Sequence, residues 1–255
     1  MTSLRDRLAG PSITVAPGCY DALSALMIER AGFAAAYLSG AAIAYTRFAR
    51  PDIGLVSMSE VADTVGVIRE RTALQLEDQT MPKRCGHLAE KRLVPAGEMV
   101  GKIRAALDAR PGPELLIIAR TDAIAVEGYD AALDRAEAYR EAGADMIFVE
   151  APRSEAELAG IAERFRGRVK LMANMVEGGA TPIRDATQLE QLGFSLVIFP
   201  GGTVRALARL LEDYLASLKL HGTTAPFRDR MLDFKGLNEL IGTPDMLALG
   251  KRYEG

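Results

Sequence analysis

The chain has 255 residues, of which 49% are hydrophobic and 25% charged, with a formal net charge of -3; this is the balance of an ordinary globular protein and excludes bulk disorder. A pI near 5.6 leaves no surplus of positive charge to neutralise phosphates, which turns attention from nucleic acids to small molecules. Cys19 and Cys85, the two cysteines, make no disulfide framework, residues 1–9 lack the apolar stretch of a secretory signal, and no apolar run approaches a membrane span, so a reducing, cytoplasmic setting is expected.

In chain order, short apolar or β-branched runs predict strands at 13–17, 34–38, 74–78, 115–120, 146–150, 169–174 and 196–199. Segments of helical period alternate with them, as in 129–142, where Ala132, Ala136, Tyr139 and Ala142 share one face. This is the α/β pattern of a parallel sheet wound with helices. Gly32, Gly112, Gly143, Gly167 and Gly193 stand at helix-to-strand junctions, where a left-handed C-cap ends a helix. One junction is different. A helix over 57–72 runs straight into Leu74-Gln75-Leu76-Glu77 with no turn residue, although a reversal there needs roughly 2–6 residues. After 199, a helix over 203–220 and two shorter ones over 227–241 and 244–253 form a tail, suited to a neighbouring subunit or to capping its own barrel.

The polar residues favour a (β/α)8 TIM barrel over a doubly wound sheet. Ser39 and Gly40, Glu77 and Asp78, Arg120 to Asp122, Glu150 and Asn174 stand at the ends of five successive strands, the edge where such barrels keep their chemistry. A doubly wound sheet concentrates its site at one switch point, and no phosphate-binding glycine fingerprint is present.

Glu77 and Asp78 are strand neighbours and point to opposite sides, so one can serve an ion while the other braces the loop; alternatively both are solvated at the surface. Oxygen donors of this kind suit Mg2+ or Mn2+. Lys83-Arg84-Cys85-Gly86-His87 gathers two cations, a thiol and an imidazole, a setting that lowers a thiol pKa, against the plainer reading of a basic loop with an incidental cysteine. Arg120 suits bidentate grip on a carboxylate, or an internal ion pair with Glu150 or Asp122. Cys19 is placed at a helix start with a structural role, and His221 as a cation ending a helix.

Tyr37-Leu38-Ser39-Gly40-Ala41, Pro51-Asp52, Leu76-Glu77-Asp78-Gln79, Lys83-Arg84-Cys85-Gly86-His87, Ala119-Arg120-Thr121-Asp122, Val149-Glu150-Ala151 and Asn174-Met175 together resemble the isocitrate lyase and phosphoenolpyruvate mutase superfamily, nearly end to end. The cysteine loop resembles its lyase branch. The resemblance implies a single barrel domain over 1–255 with extra C-terminal helices, Mg2+ or Mn2+, a lid carrying the cysteine, and homodimers or homotetramers that exchange the tail 203–255. It implies a carbon–carbon lyase that cleaves a 2-hydroxy di- or tricarboxylate through an enolate, releasing pyruvate or a related oxoacid. By motif, Cys85, Lys83, His87 and Glu150 would be catalytic, with Cys85 protonating the departing carbanion. Tyr37, Ser39, Gly40, Ala41, Gly86, Arg120, Asn174 and Arg205 would bind substrate, and Glu77 would support the metal shell.

The family also carries, between the helix ending near Ala73 and the strand beginning at Leu74, a strand with an Asp-Ala-Asp-Thr-Gly metal motif and a helix. That unit, roughly 30 residues or one strand–helix repeat, is missing here, at the junction that lacked a turn. Its loss would remove the eighth strand and the main aspartate ligands; the unpaired ladder this leaves favours a protein that carries the segment. Oxaloacetate decarboxylation and an inactive ligand-binding barrel are the alternative functions.

Overall fold

The computed structural model describes residues 3–68, 73–86 and 90–252. The first part of the chain contains α1 (Leu4–Ala9), β1 (Thr14–Cys19), α2 (Ala22–Arg30), β2 (Tyr37–Leu38), α3 (Gly40–Phe48), α4 (Met58–Val67) and β3 (Ala73–Glu77). There follow α5 (Ala96–Ala109), β4 (Leu116–Thr121), α6 (Tyr129–Glu141), β5 (Met146–Val149), α7 (Glu155–Phe165), β6 (Lys170–Asn174), α8 (Ala186–Leu192) and β7 (Leu196–Phe199). The tail is α9 (Gly202–His221), α10 (Phe234–Leu240) and α11 (Thr243–Lys251). Two compact units divide the chain, one up to Val204 and the other from Arg205. Among the described residues, no helix is long and apolar enough to cross a membrane.

All the strands pair in parallel, in the order β2-β1-β7-β6-β5-β4-β3. Sequential neighbours lie side by side and β1 meets β7, as in a barrel, but β2 and β3 are the two edges. The sheet is therefore a curled, TIM-like seven-stranded one among the described residues, with the seven strands expected from the sequence and without the eighth that would close a (β/α)8 barrel. The opening falls where the sequence lacks a strand–helix unit; the junction residues 69–72 lie outside the described set.

Alternation along the strands divides the core in two. Leu116, Ile118, Met146, Phe148, Met172, Leu196 and Ile198 point inward, joined by Leu8 of α1. Ile117, Ala119, Ile147, Leu171 and Val197 point outward, against Met99, Ile103, Tyr139, Leu158, Ile161 and Phe165 of the helices. Every residue of β4 is buried, whereas β3 leaves Leu74 exposed and α4 buries no residue. Apolar surface is thus exposed beside the open edge, where a neighbouring repeat would cover it.

Several boundaries move by one or two residues, within the usual fraying of element ends. Cys19 closes β1 rather than opening a helix. Gly32, Gly143, Gly167 and Gly193 have positive φ, but Gly112 does not. There, Pro111 restricts the residue before it, and Arg110 ends α5 in an extended conformation. The segment 227–241 breaks into a 3-10 turn at Ala225–Arg230 and α10.

Gly18 is fixed by close approach, since a Cβ on it would run into the Pro200 carbonyl and lie 2.6 Å from its carbon. Its carbonyl also accepts a hydrogen bond from Thr203 Oγ1 at 2.6 Å. Gly18→Ala is expected to cost about 1–3 kcal/mol through overpacking, measured as a lower midpoint in denaturant unfolding; an unchanged midpoint would show that the β1–β7 end can spread freely.

Candidate active site

β4 ends by delivering Arg120 into the mouth of the sheet. Its Nε and Nη2 donate to Asp122 Oδ2 and Oδ1 at 2.8 and 3.0 Å, and Nη1 lies 3.4 Å from Glu150 Oε2 and 4.0 Å from Glu77 Oε1. Both internal pairs expected for Arg120 are present. Its guanidinium also rests over the Phe148 ring, 5.1 Å from the centroid, a cation–π contact. Burial opposes the charge, but Glu150, Glu77 and Asp122 keep Arg120 protonated well above the ordinary arginine range. Asn174 Nδ2 donates to both Glu150 oxygens at 3.2 Å, while Asn174 Oδ1 is buried without a partner. Three successive strand ends therefore build one cluster, Arg120–Glu150–Asn174.

Asp122 is fully buried and also takes the Lys91 ammonium at 3.0 Å. Burial by itself would push the Asp122 carboxyl up, yet Arg120 and Lys91 override it and hold the group at about 2. Behind it, Asp78 accepts from Asp122 N at 3.0 Å, Thr121 Oγ1 at 2.7 Å and Tyr139 Oη at 2.9 Å. Glu77 and Asp78 thus face opposite ways, and Asp78 braces the turn after β4. Burial raises the Asp78 carboxyl above its ordinary range.

The cysteine loop is a hairpin-like excursion between β3 and α5. Its base is zipped by Val94 N donating to Asp78 O at 2.8 Å and Thr80 N to Arg92 O at 2.9 Å. In the tip, the Gln79 side chain exchanges two hydrogen bonds with the Arg84 backbone, at 2.8 and 2.9 Å. Cys85 N donates to Asp52 O at 3.1 Å, and Lys83 Nζ lies 3.2 Å from Asp52 Oδ2 and 3.9 Å from Glu77 Oε1. Burial lowers the Lys83 ammonium, but Glu77 and Asp52 outweigh it and the net displacement is upward. A Cβ on Gly86 would collide with Arg120 Nη2 and lie 2.6 Å from Glu150 Cγ, so only glycine lets the loop backbone seat on that pair. His87 lies outside the described residues.

Ser39 caps α3, its Oγ accepting from Ala42 N at 3.2 Å, while its own N donates to Cys19 O at 2.9 Å. The amides of Gly40 and Ala41 belong to the first helical turn, which lacks intrahelical acceptors, and a Cβ at Gly40 would sit 3.9 Å from Lys83 Nζ. Tyr37 Oη donates to Gln75 Oε1 at 3.3 Å, bridging the open edge, and Gln75 Nε2 reaches Glu77 Oε1 at 3.4 Å. Arg205 is the first residue of the second unit. Lys91 is the participant that sequence reasoning passed over, since it stands in the charged run Glu90-Lys91-Arg92, which reads as solvated surface; Asp52 is singled out only within the Pro51-Asp52 motif, with no role assigned.

A resident Mg2+ or Mn2+ is tested by the donor set. Among the described residues, no group of three or more His, Cys, Asp or Glu side chains is placed to hold a metal ion. Glu77 Oε2 is buried without a hydrogen-bond partner, which suits one ligand. The neighbouring carboxylates of Asp52, Asp122 and Glu150 already face Lys83, Lys91 and Arg120. Asn174 Oδ1 is the other unpartnered buried oxygen of the cluster, and two open oxygens fall short of the donor set of a hard dication, so the described residues do not by themselves fit a resident metal.

With known proteins, the chain matches the phosphoenolpyruvate phosphomutase family over residues 70–219. It is 39% identical to a 2,3-dimethylmalate lyase of Eubacterium barkeri, over 98% of this chain and 96% of that one. It is 40% identical to a 2-methylisocitrate lyase of Bacillus subtilis (strain 168), over 97% and 91% of the two chains. In structure it resembles a phosphonopyruvate hydrolase solved with oxalate and Mg2+, with a TM-score of 0.87 and 26% identity over 99% of this chain and 98% of that. The alignment with the dimethylmalate lyase runs over 281 positions against a chain of 255 residues, so at least 26 of its positions have no counterpart here. That is close to the length of the missing unit.

The depressed Asp122 carboxyl stabilises the fold above its unfolded value near pH 4, and the contribution drains as pH falls toward 2, roughly 2 kcal/mol in total. Denaturant unfolding of the wild type and Asp122→Asn at pH 5 and pH 2.5 checks the sign: the stability gap is expected to narrow at the lower pH. A constant gap would detach Asp122 from the acid response.

Proposed function

This chain belongs to the phosphoenolpyruvate mutase/isocitrate lyase superfamily, and we propose from that premise that it is a carbon–carbon lyase acting on a 2-hydroxy di- or tricarboxylate of the 2-methylisocitrate or 2,3-dimethylmalate class. The observation that carries this is the seating of the Cys85 loop on Arg120 and Glu150 through Gly86. A thiol, a guanidinium and a carboxylate of this kind are what cleavage of a hydroxyacid requires.

In this reading Arg120 binds one substrate carboxylate, its guanidinium held in plane by Asp122. The first-turn amides of α3 at Gly40 and Ala41, with the Ser39 hydroxyl and Lys83, take a second carboxylate, beside Tyr37. Asn174 and Glu150 hold the substrate hydroxyl. Glu150 accepts the hydroxyl proton as the carbon–carbon bond breaks, and the oxygen's electron pair becomes the carbonyl of the released oxoacid. The pair from the broken bond passes to the departing fragment as an enolate, whose carbon Cys85 protonates. His87 and Arg205 carry the roles of their family counterparts, in the loop and on a substrate carboxylate.

We assign the family's divalent cation to the strand–helix unit that this sequence lacks, because the described residues of the site offer it only two open oxygens, Glu77 Oε2 and Asn174 Oδ1. With that unit the sheet would close as a (β/α)8 barrel. We also assign the helical tail 203–255 to exchange between subunits of a homodimer or homotetramer; it exposes Leu215, Leu220, Phe234, Ile241, Met246 and Leu247.

Incubation with Mg2+ and 2-methylisocitrate, isocitrate or 2,3-dimethylmalate is expected to release pyruvate, glyoxylate or a related oxoacid, and Cys85→Ser to cut turnover by at least about 100-fold, the usual worth of a proton donor. No product from the whole panel overturns the lyase reading, and turnover of oxaloacetate alone points to decarboxylation. Intact mass spectrometry of the protein from its native source tests the missing unit: about 3 kDa above 27.4 kDa is expected for one further repeat, and 27.4 kDa itself shows that the open sheet is the mature form.

A further inference from the structure

Lys91 is a buried lysine outside the roles described above, with a side chain only 1% exposed. Its backbone stands next to Arg92, which pairs with Thr80 in the zipped base of the cysteine loop. Its ammonium reaches inward to two acceptors: Asp122 Oδ1, at 3.0 Å, and the carbonyl oxygen of Gly86 in the loop tip. A lysine is seldom hidden this far unless its three donors are used.

The two ends of the tip are held differently. The half bearing Lys83 to Cys85 is tied by Gln79 and by Asp52. At Gly86, the side-chain tether found among the described residues is Lys91. Gly86 is also where the loop backbone seats on Arg120 and Glu150. The ammonium therefore joins three parts of the site: the rigid hairpin base that carries it, the loop tip that carries Cys85, and the carboxylate that orients Arg120.

We propose that Lys91 is a positioning residue that latches the cysteine loop, holding Cys85 over the Arg120–Glu150 pair through the Gly86 carbonyl and registering it to Arg120 through Asp122. A neutral side chain of similar length leaves the base zipped and the Gln79 and Asp52 ties in place, but frees the Gly86 end of the tip, so that those ties hold Cys85 from one side. The importance of that positioning for turnover rests on the lyase reading; the latch itself does not.

The test uses thiol alkylation of the full-length protein without substrate. Cys85 is partly exposed and Cys19 is buried, so Cys85 reads the loop and Cys19 reads the integrity of the fold. With iodoacetamide, Lys91→Met is expected to raise the Cys85 rate roughly 10- to 100-fold, the change in an opening equilibrium on losing a hydrogen bond from a charged donor. Cys19 should stay unreacted. An unchanged Cys85 rate in folded Lys91→Met overturns the latch, as does a parallel rise at Cys19, which would mark Lys91 as a general structural ion. If the methionine variant fails to fold, Lys91→Gln, which keeps one donor, serves in its place: an intermediate Cys85 rate supports the latch and a wild-type rate overturns it. Because no substrate is used, failure here leaves the lyase reading standing, and absence of product in the substrate panel leaves the latch standing.

Discussion

The site depends on one carboxylate that never meets solvent. Asp122 pairs with Arg120 through both oxygens and with Lys91 through one, and its backbone amide is held by Asp78. Burying one guanidinium or one ammonium alone would be costly, and the carboxylate offsets that cost only because the geometry leaves few polar atoms idle. The sign of the balance shows in Asp122 itself, held at about 2 although burial alone pushes the other way. With Asp122 ionised, the Arg120 fork has one available plane. With Arg120 fixed, Glu150 has a cation on one side and Asn174 on the other, and the loop backbone has a surface on which to seat.

Fixing the polar groups before a ligand arrives gives them their use in catalysis. An arginine free to rotate would spend binding energy on its own ordering, whereas one held by a buried partner presents its remaining donor face at no further cost. The same holds for the loop. Its zipped base and the Gln79 amide exchange carry the tip, and the Asp52 carbonyl at Cys85 N and the Lys91 ammonium at the Gly86 carbonyl complete its placement.

Much of this is legible in the sequence because barrel chemistry is tied to strand ends. Arg120, Glu150 and Asn174 are each the polar residue after an apolar run, and the structure brings all three together. The opposition of Glu77 and Asp78 follows from strand alternation and holds. Lys91, and the role of Asp52, escaped for a physical reason: burial of a charge is decided by long-range partners, and neither the Glu90-Lys91-Arg92 run nor the Pro51-Asp52 motif carries a local trace of them. Gly112 shows the converse, where a strong local signal was overridden by the proline before it.

The open edge binds the remaining features together. A parallel strand at an edge exposes a row of amides and carbonyls, and here the exposure is compounded by Leu74 on β3 and by an α4 with no fully buried residue. β2, with two paired residues, and β3, joined to it through the Tyr37–Gln75 side-chain contact, are the strands that a further repeat would separate and complete. The family resemblance implies that such a repeat would carry an acidic metal motif. The half of the site described here has its carboxylates matched to Lys83, Lys91 and Arg120, leaving one oxygen of Glu77 facing inward unpartnered at the end of the edge strand. An unpaired ladder and an unpaired carboxylate oxygen thus stand at one place on the sheet.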